Sequence, residues 1–340
     1  MRKPLTLLLA LAAMLPALAQ DAPKLHTPAE ILQILTDSKV QYEIGILAQP
    51  LRPTDQTQNL NYNNVYRRRT ASGFSTVRYS QSDALENVMT KAENAFAGKQ
   101  YDSARAYYLQ ALETDTSYYT VLTYIGQTYG IQKNWDKAIE WYQKAIRSNY
   151  IDYMAHWFLA DAYIEVKEPE EAKKEILIAH ILNRNNPRIR LSLNYVLKNN
   201  GLSMNTWIFN PQYTVTKDAD NKVKVQYGDG WLSYALTKAV WAHEPGYSES
   251  MGYKNDSFFR ELEEKEALIG MLISEDPKTQ ALPETLALQK ATADGKENRL
   301  QEFVFYEILL PKHPAVALQL PDQLIEDIMA YILEVRCEKI

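Results

Sequence analysis

The sequence predicts a mostly α protein, in which a solenoid of helical hairpins is followed by a helical region with one small β-hairpin. The first observation is a repeat between positions 85 and 186, with a period of about 34 residues. Ala104, Ala138 and Ala172 show it, since they follow one another in equal steps (138 − 104 = 172 − 138 = 34). The second observation is that apolar and polar residues alternate in only a few short runs elsewhere, near residues 40–44 and 213–227. A fixed period of roughly 20 to 50 residues is typical of stacked repeats.

Several other columns of residues keep the same 34-residue step. The columns are Ala92, Gly126 and Ala160; Ala111, Ala145 and Ala179; Tyr108, Tyr142 and Ile176; and Ala95, Tyr129 and Tyr163. Small residues allow the two helices of a hairpin to approach to the short end of the ~8–10 Å range, and large residues fill the space between hairpins. A single hairpin cannot cover its own apolar face, so the units are predicted to stack and share one elongated core.

These columns resemble the tetratricopeptide repeat (TPR) family, whose unit is a pair of antiparallel helices. The best copy reads Leu122-x-x-Ile125-Gly126-x-x-Tyr129, followed by Trp135, Ala138, Tyr142 and Ala145. The resemblance implies three copies at about 85–118, 119–152 and 153–186, which is 102 of the 340 residues (186 − 85 + 1). It departs from the family pattern at the closing proline, which is Thr116 and Tyr150 in the first two copies. It also departs at Pro169, which replaces an aromatic residue.

The resemblance also implies that the first helix of each unit lines a concave groove that binds a protein or peptide. The predicted partner-binding residues are Met89, Glu93, Phe96, Thr123, Gln127, Trp157, Asp161 and Ile164. The basic clamp with which some members hold a peptide carboxylate is absent, because its places hold Met89, Glu93, Tyr124, Met154 and Phe158. We therefore expect a peptide with an apolar anchor and a basic group. The alternative is an array that serves as a spacer, or a groove that the chain fills itself.

Composition excludes several classes of protein. The formal net charge is −5, and an acidic chain lacks the cationic surface that non-specific nucleic-acid binding needs. The one cysteine, Cys337, can form neither an internal disulfide nor a multi-cysteine metal site, and we expect a packed or semi-exposed thiol.

Residues 1–19 have the pattern of a secretory signal peptide. Arg2 and Lys3 precede a short apolar run, and Ala17-Leu18-Ala19 predicts cleavage before Gln20. No later stretch is long enough for a transmembrane helix, which needs about 20 apolar residues. The sequence therefore predicts export, and a soluble protein in the periplasm or another extracytoplasmic space.

Residues 20–84 are predicted to form an N-terminal helix and a polar linker. Thr27-Pro28-Ala29-Glu30 is a capping box, and Val40-x-Tyr42-x-Ile44 alternates like a strand without an obvious partner. Residues 49–82 contain few apolar residues and are predicted to be a linker or a partly ordered arm. Within them, the run Tyr66-Arg67-Arg68-Arg69 has two interpretations. One is contact with an anionic surface or with nucleic acid, and the other is a loop that is solvated or pairs with acidic groups of the chain.

Residues 187–201 are predicted to be a capping helix that breaks the repeat pattern, and residues 202–340 a separate region of mostly helical structure. Strands at 213–215 and 223–227 predict a β-hairpin. The helix from Trp231 to His243 is predicted to present an aromatic-rich surface, and Asp256 to cap a helix that runs to about Ile273. Two further helices are predicted at about 297–310 and 321–336. No family resemblance is found for this region.

No motif for a zinc protease, a phosphate-binding loop or a serine nucleophile is present, so we expect no enzyme activity, cofactor or metal. His243-Glu244 could supply a general base, but a histidine at a helix end is also simply stabilising. The run from Glu261 to Glu266 is interpreted as a solvated helix face. The sequence thus favours an exported TPR scaffold. A C-terminal enzyme or ligand-binding module around Trp231, Tyr234, Trp241 and Tyr247 is one alternative, and end-to-end self-assembly is another.

Overall fold

The computed structural model of the protein describes residues 23–53, 65–70, 73–218, 222–254, 257–293 and 299–340. The predicted signal peptide and the predicted helix cap Asp256 lie outside these residues. Within them the chain is mostly α-helical, as predicted. None of the described helices combines the length and the apolar character that crossing a membrane requires.

Three helical hairpins occupy the centre of the chain. Their helices are α2 (Asp83–Ala97) and α3 (Tyr101–Thr114), α4 (Thr120–Ile131) and α5 (Trp135–Ser148), and α6 (Tyr153–Glu165) and α7 (Pro169–Leu182). The second helices begin at equal intervals along the chain (135 − 101 = 169 − 135 = 34), and the alanines of the predicted columns are buried where helices meet. The hairpin geometry therefore follows the period of the sequence.

The turn inside each hairpin repeats as well. Lys99, Lys133 and Lys167 have positive φ angles of 59°, 61° and 64°, and each closes its helix with a backbone hydrogen bond. Gly201, with φ of 68°, follows Lys167 by the same step (201 − 167 = 34) and stands at the end of α8 (Pro187–Asn199). Helix α8 is therefore the first helix of a fourth, incomplete unit.

The prediction that α8 breaks the repeat pattern is wrong for the backbone, whose conformation continues the pattern. The side chains of α8 differ from those of the earlier first helices, because no second helix follows α8 and packs against it. Asn194, which continues the column of Ala160 (194 − 160 = 34), is exposed and has no helix to pack against. The chain continues instead into the short strand β4 (Leu202–Met204), which pairs antiparallel with the last strand, β7 (Cys337–Lys339).

Several short helices make up the rest of the C-terminal region. They are α9 (Leu232–His243), α10 (Tyr247–Ser250), α11 (Glu261–Leu272), α12 (Pro277–Gln280), α13 (Pro283–Ala291), α14 (Leu300–Phe303), α15 (Leu310–Lys312) and α16 (Asp322–Tyr331). A π-helical turn (Val304–Leu309) joins α14 to α15, a 3₁₀ helix (Pro314–Gln319) follows, and a second π-helical turn (Ile332–Arg336) extends α16. The predicted helices at 297–310 and 321–336 are these two composite helices.

One hydrophobic core joins the last repeat to the C-terminal region. Residues 176–182 of α7 are all buried, and α16 and the 3₁₀ helix pack against this helix. The same cluster continues through α8, α11 and α13 to Cys337, whose thiol is buried. The C-terminal region is therefore not separate from the repeats in its packing. Because it covers α7, this end of the array is closed to end-to-end stacking.

The N-terminal segment belongs to the same body. Helix α1 (Pro28–Asp37) has the predicted capping box, with Thr27 Oγ1 accepting from the Glu30 N–H at 3.3 Å, and it packs against α9. Strand β1 (Tyr42–Ile46) finds its partner far along the chain. It pairs parallel to β6 (Val223–Tyr227), which also pairs antiparallel to β5 (Tyr213–Lys217), so the strand order is β1-β6-β5.

Part of the predicted linker is a second hairpin, formed by β2 (Val65–Thr70) and β3 (Gly73–Arg78). Arg67 explains why this polar stretch is ordered. Its guanidinium donates to the carbonyl oxygens of Leu318 and Leu320, pairs with Asp322, and stacks on the Phe74 ring at 4.2 Å. The interpretation of this stretch as a linker is therefore wrong for the described residues 65–70 and 73–78. Of the two hypotheses for the basic run, Arg67 follows the one in which it pairs with an acidic group of the chain.

Candidate functional site

The first helices of successive hairpins form one continuous surface, which we call the first-helix face. Helices α4 and α6 are linked by Thr123, whose hydroxyl donates to the Asp152 carboxylate at 2.6 Å. Asp152 also caps α6 by accepting from two backbone N–H groups. Helices α6 and α8 are linked by Trp157, whose Nε1 donates to Ser192 Oγ at 2.9 Å. Residues of α2 share a hydrophobic cluster with residues of α4, so the face extends over α2, α4, α6 and α8.

The predicted partner-binding residues differ in accessibility. Glu93 and Asp161 are exposed, Phe96, Gln127, Trp157 and Ile164 are partly buried, and Met89 and Thr123 are buried. Met89 packs in the core of the first hairpin, and Thr123 is enclosed by its bond to Asp152. These two residues hold the array together, so we remove them from the candidate site. Binding by the other six stays a prediction.

Three exposed apolar residues of this face were missed by the sequence reasoning. Leu191 and Tyr195 stand one period after Trp157 and Asp161 (191 − 157 and 195 − 161 are both 34), and 70% and 59% of their surface is exposed. Ile131, at the end of α4, is 46% exposed. Continuing the 34-residue step once more would have found the first two.

Acidic groups accompany these apolar residues. Packed atoms around Asp161 withhold water from its carboxylate, and Glu165 one turn further adds like charge. Together they raise the pKa of Asp161 to about 6. Glu93 accepts a hydrogen bond from the Tyr108 hydroxyl at 2.8 Å, which fixes its carboxylate at the edge of the face. The face therefore carries acidic groups on α2 and α6, whereas the exposed Arg188 and Lys198 flank the apolar residues of α8. Its acidic part suits a cationic, apolar segment.

The aromatic cluster of the C-terminal region is not the surface that the sequence suggested. Trp231, Tyr234, Trp241 and Tyr247 are all buried. Phe209 packs edge-on against both Trp231 and Tyr234, with ring centroids 5.7 and 5.9 Å away. The rings fill a core, and this counts against a ligand pocket lined by them.

The run from Glu261 to Glu266 is also different from the prediction of a solvated face, because Glu264 and Glu266 are buried. Glu264 pairs with Lys238 at 2.8 Å and accepts from the Tyr234 hydroxyl at 2.6 Å. Glu266 accepts from Trp241 Nε1 at 2.6 Å, from the Tyr247 hydroxyl at 2.8 Å and from the His26 N–H at 2.6 Å. Aromatic side chains, Lys238 and the His26 backbone N–H thus supply the partners of these carboxylates. No group of three metal-ligating side chains was found among the described residues.

His243 and Glu244 do not act as a pair. Burial, and to a lesser degree Lys217, lower the pKa of His243. Glu244 accepts from Ser38 Oγ at 2.6 Å and from the Tyr42 hydroxyl at 3.1 Å, so it anchors the N-terminal segment to the end of α9. Its role is structural.

A second buried polar cluster lies where the last repeat meets the C-terminal region. Arg336 Nη1 bonds both oxygens of Glu307 at 2.8 Å, and the Tyr331 hydroxyl donates to Glu307 at 2.9 Å. On the repeat side, Arg184 lies over the Tyr306 ring at 4.4 Å and His180 bonds the Tyr306 hydroxyl at 2.9 Å. Glu307 and Arg336 both lie in π-helical turns. Burial lowers the pKa of His180 to about 3, so it is a neutral packing residue at physiological pH.

Comparison with known proteins covers only part of the chain. The tetratricopeptide repeat family profile matches residues 89–150 and 125–177, and no curated protein matches the chain. Similar solved structures include the Arabidopsis OM64 TPR domain, at 20% identity and TM-score 0.32, covering 34% of this chain and 96% of that one. They also include the first TPR of Spaghetti (RPAP3) bound to an HSP90 peptide, at 21% identity and TM-score 0.33, with 35% and 94% covered.

A third similar structure is the type III secretion chaperone SycD of Yersinia enterocolitica with a peptide of the translocator YopD. It is 19% identical with a TM-score of 0.33, and 35% of this chain and 97% of that chain are covered. The sequence match and the regular geometry of the hairpins together identify the helical hairpins within residues 89–177 as tetratricopeptide repeats.

Proposed function

We propose that this protein is an exported scaffold of the cell envelope, in a bacterium with two membranes, that binds a protein or peptide segment on its first-helix face. The observation that carries the proposal is the exposure of Leu191 and Tyr195 beside Asp161 on one row of the array. An exposed apolar patch next to fixed charge is typical of an interaction site. The TPR fold suits this role, since a stack of helical hairpins presents an extended surface.

The mechanism is shape and charge rather than chemistry. Leu191 and Tyr195 would bury an apolar anchor, and Asp161 and Glu93 would attract a lysine or arginine of the same segment. Trp157 has a structural role in the site, because its ring stacks on Phe158 with centroids 5.6 Å apart and its Nε1 donates to Ser192 Oγ on α8. Exposed residues are therefore better probes of binding than Trp157.

A fluorescence anisotropy assay would test the site with labelled peptides that carry an apolar anchor flanked by lysine, and with matched peptides that carry glutamate instead. We expect the lysine peptides to bind more tightly. Leu191→Ala with Tyr195→Ala should weaken binding at least tenfold, because truncating a central anchor typically costs about 1–2 kcal/mol or more.

Leu286→Ala is the matched control, since Leu286 is also well exposed but lies on α13. Equal affinity for both peptide sets, or unchanged binding by the folded double variant, would remove the first-helix face from the proposal.

Export from the cytoplasm has its own test. Periplasmic fractionation followed by N-terminal sequencing should give a chain that begins at Gln20, and a cytoplasmic chain that retains Met1 would contradict it.

A further inference from the structure

Within the described part of the chain, the three-stranded sheet has one open edge. In its order β1-β6-β5, no described strand pairs with β1 on the side away from β6. The Val223 N–H donates to the Gln41 carbonyl at 2.8 Å, and the Leu47 N–H donates to the Tyr227 carbonyl at 2.9 Å. Because the residues of a parallel strand alternate between its two neighbours, the odd-numbered residues of β1 face β6. The N–H and C=O groups of Tyr42, Ile44 and Ile46 therefore point outward along the open edge.

The side chains of β1 continue an apolar row of the sheet. Ile44 is paired with Val225, which is buried against α9, and side chains of paired residues lie on the same face. Ile44 is 47% exposed and Ile46 is 66% exposed. The row thus begins in the core at Val225 and ends uncovered at the sheet edge.

The two edges of this sheet are protected differently. Strand β5, at the other edge, ends in an exposed Lys217, and lysine is a common guard against unwanted strand pairing. Strand β1 reads Tyr-Glu-Ile-Gly-Ile and contains neither lysine nor proline; its one charge, Glu43, lies 3.7 Å from Lys222. The face of this edge that carries Ile44 and Ile46 has no charge and is a ready template for another strand.

We propose that two copies of this chain associate through β1, antiparallel, with Ile44 opposite the partner's Ile44 on a two-fold axis. In this register Tyr42 lies opposite Ile46, so every outward N–H and C=O of these residues finds a partner. The apolar row then runs unbroken from Val225 of one copy to Val225 of the other. Isologous pairing closes after two copies, whereas head-to-tail pairing of this edge with a different edge of the next copy would give a ring or an open filament.

The other face of β1 is compatible with the same register. Glu43 lies opposite the partner's Gly45, where a Cβ would meet nothing within 4 Å in the single chain. In a parallel pairing in register, Glu43 would instead face Glu43, and like charges directly opposite one another are destabilising. Charge and shape therefore both select the antiparallel arrangement of a second copy over a parallel one.

The contact is small. A pair of such short strands buries less than the ~1,200–2,000 Å² of a standard stable interface, so we expect a dissociation constant in about the micromolar to high-micromolar range. This association does not depend on the proposed function, because β1 and the first-helix face are different surfaces.

Sedimentation equilibrium on the purified chain from residue 20 onward, which includes every described residue, tests the proposal over a concentration series that spans this range. The apparent mass should rise toward twice that of the monomer. Ile44→Lys should keep it at the monomer value, because it places two positive charges across the axis. Ile273→Lys, at a similarly exposed residue after α11, should leave association unchanged. A monomer at every concentration, or a dimer that Ile44→Lys leaves intact, would overturn the proposal.

The register is tested separately by two substitutions of Gly45, which should change the dissociation constant of the dimer in opposite directions. Gly45→Lys should tighten the dimer by about three- to tenfold, because each lysine meets Glu43 of the other copy, and Gly45→Glu should weaken it by a similar factor. The empty space around Gly45 makes both variants compatible with the folded monomer. If both substitutions change the dissociation constant in the same direction, the Ile44-centred antiparallel register is wrong.

Discussion

The repeats (α2 to α7) are stabilised differently from the described residues before α2 and after α7, which we call the enclosing region. Within the repeats, each helix packs on the one before or after it, and neighbours are set by the 34-residue period. In the enclosing region the contacts join distant parts of the chain. Ser38 bonds Glu244, and Arg67 pairs with Asp322. A period in the sequence encodes local neighbours, whereas distant pairings leave no comparable pattern.

The two regions also differ in what they bury. The repeats bury mainly columns of alanine with tyrosine or isoleucine between them, together with polar contacts such as those of Thr123 with Asp152 and of His156 with Glu175. The enclosing region buries ionised groups, with Glu307 bonded by Arg336 and Glu264 by Lys238. A buried ion pair adds little net stability, but removing one partner leaves an uncompensated charge. The enclosing region should therefore be far more sensitive to single polar substitutions than the repeats.

Arg336→Met should have the largest effect. It leaves the buried Glu307 carboxylate with only the longer pairing to Arg184 at 3.4 Å, and we expect a loss of about 3 kcal/mol in the free energy of unfolding, measured by urea denaturation. Hydrogen exchange should show lost protection in α7 and in the two π-helical turns, with α2 to α5 much less affected. That contrast would sharpen the distinction between the regions.

The control is Arg190→Met, on the exposed side of α8, which should change stability by less than about 0.5 kcal/mol. Adding Glu307→Gln to Arg336→Met should recover much of the loss, because the amide still accepts from Tyr331 without carrying a charge. A double variant no more stable than Arg336→Met would contradict the explanation by charge.

The sequence predicted the repeats better than the enclosing region for the same reason. The columns through Ala104 and Tyr108 correctly placed six helices, and alternation correctly placed β5 and β6. Polar composition gave the wrong prediction of solvent exposure in two places. Arg67 bonds carbonyl oxygens far along the chain. Glu264 and Glu266 are bonded by aromatic hydroxyls, an indole and a lysine. Charged residues look solvated in a sequence when their partners are far along the chain.

The candidate site was predicted in part. The family resemblance placed Glu93 and Asp161 correctly on an exposed face, but it could not show that Thr123 is enclosed by Asp152. It also ended the array too early, at residue 186, because α8 lacks the small residue of the earlier copies. The backbone conformation of Gly201 shows the continuation that the side chains conceal.

Gly201→Ala tests whether the boundary between the regions is built like an internal turn of the repeats. A Cβ there meets nothing within 4 Å, so the cost arises from the positive φ alone and should be about 1 kcal/mol. Lys133→Gly, at the equivalent turn of the second repeat, should stabilise by about 0.5 kcal/mol, since glycine relieves the same conformation. Urea denaturation of the two variants should thus give opposite signs. Destabilisation by both would mean that Lys133 contributes contacts that outweigh its backbone conformation.

Asp161→Asn should change the free energy of unfolding only slightly. It tests the cost of keeping a partly dehydrated carboxylate in the repeats. The pKa of Asp161 is raised to about 6 in the folded chain, so its ionised form disfavours folding at neutral pH. The substitution should stabilise the protein above about pH 6, by less than about 1 kcal/mol because part of the side chain still contacts solvent, which screens its charge. The gain should shrink as the pH falls through 6 and vanish below about pH 4, where the carboxyl group is neutral in both the folded and the unfolded chain. Glu140→Gln, at an exposed mid-helix position of α5, should show no such profile, and a gain for Asp161→Asn that is independent of pH would rule out titration as its cause.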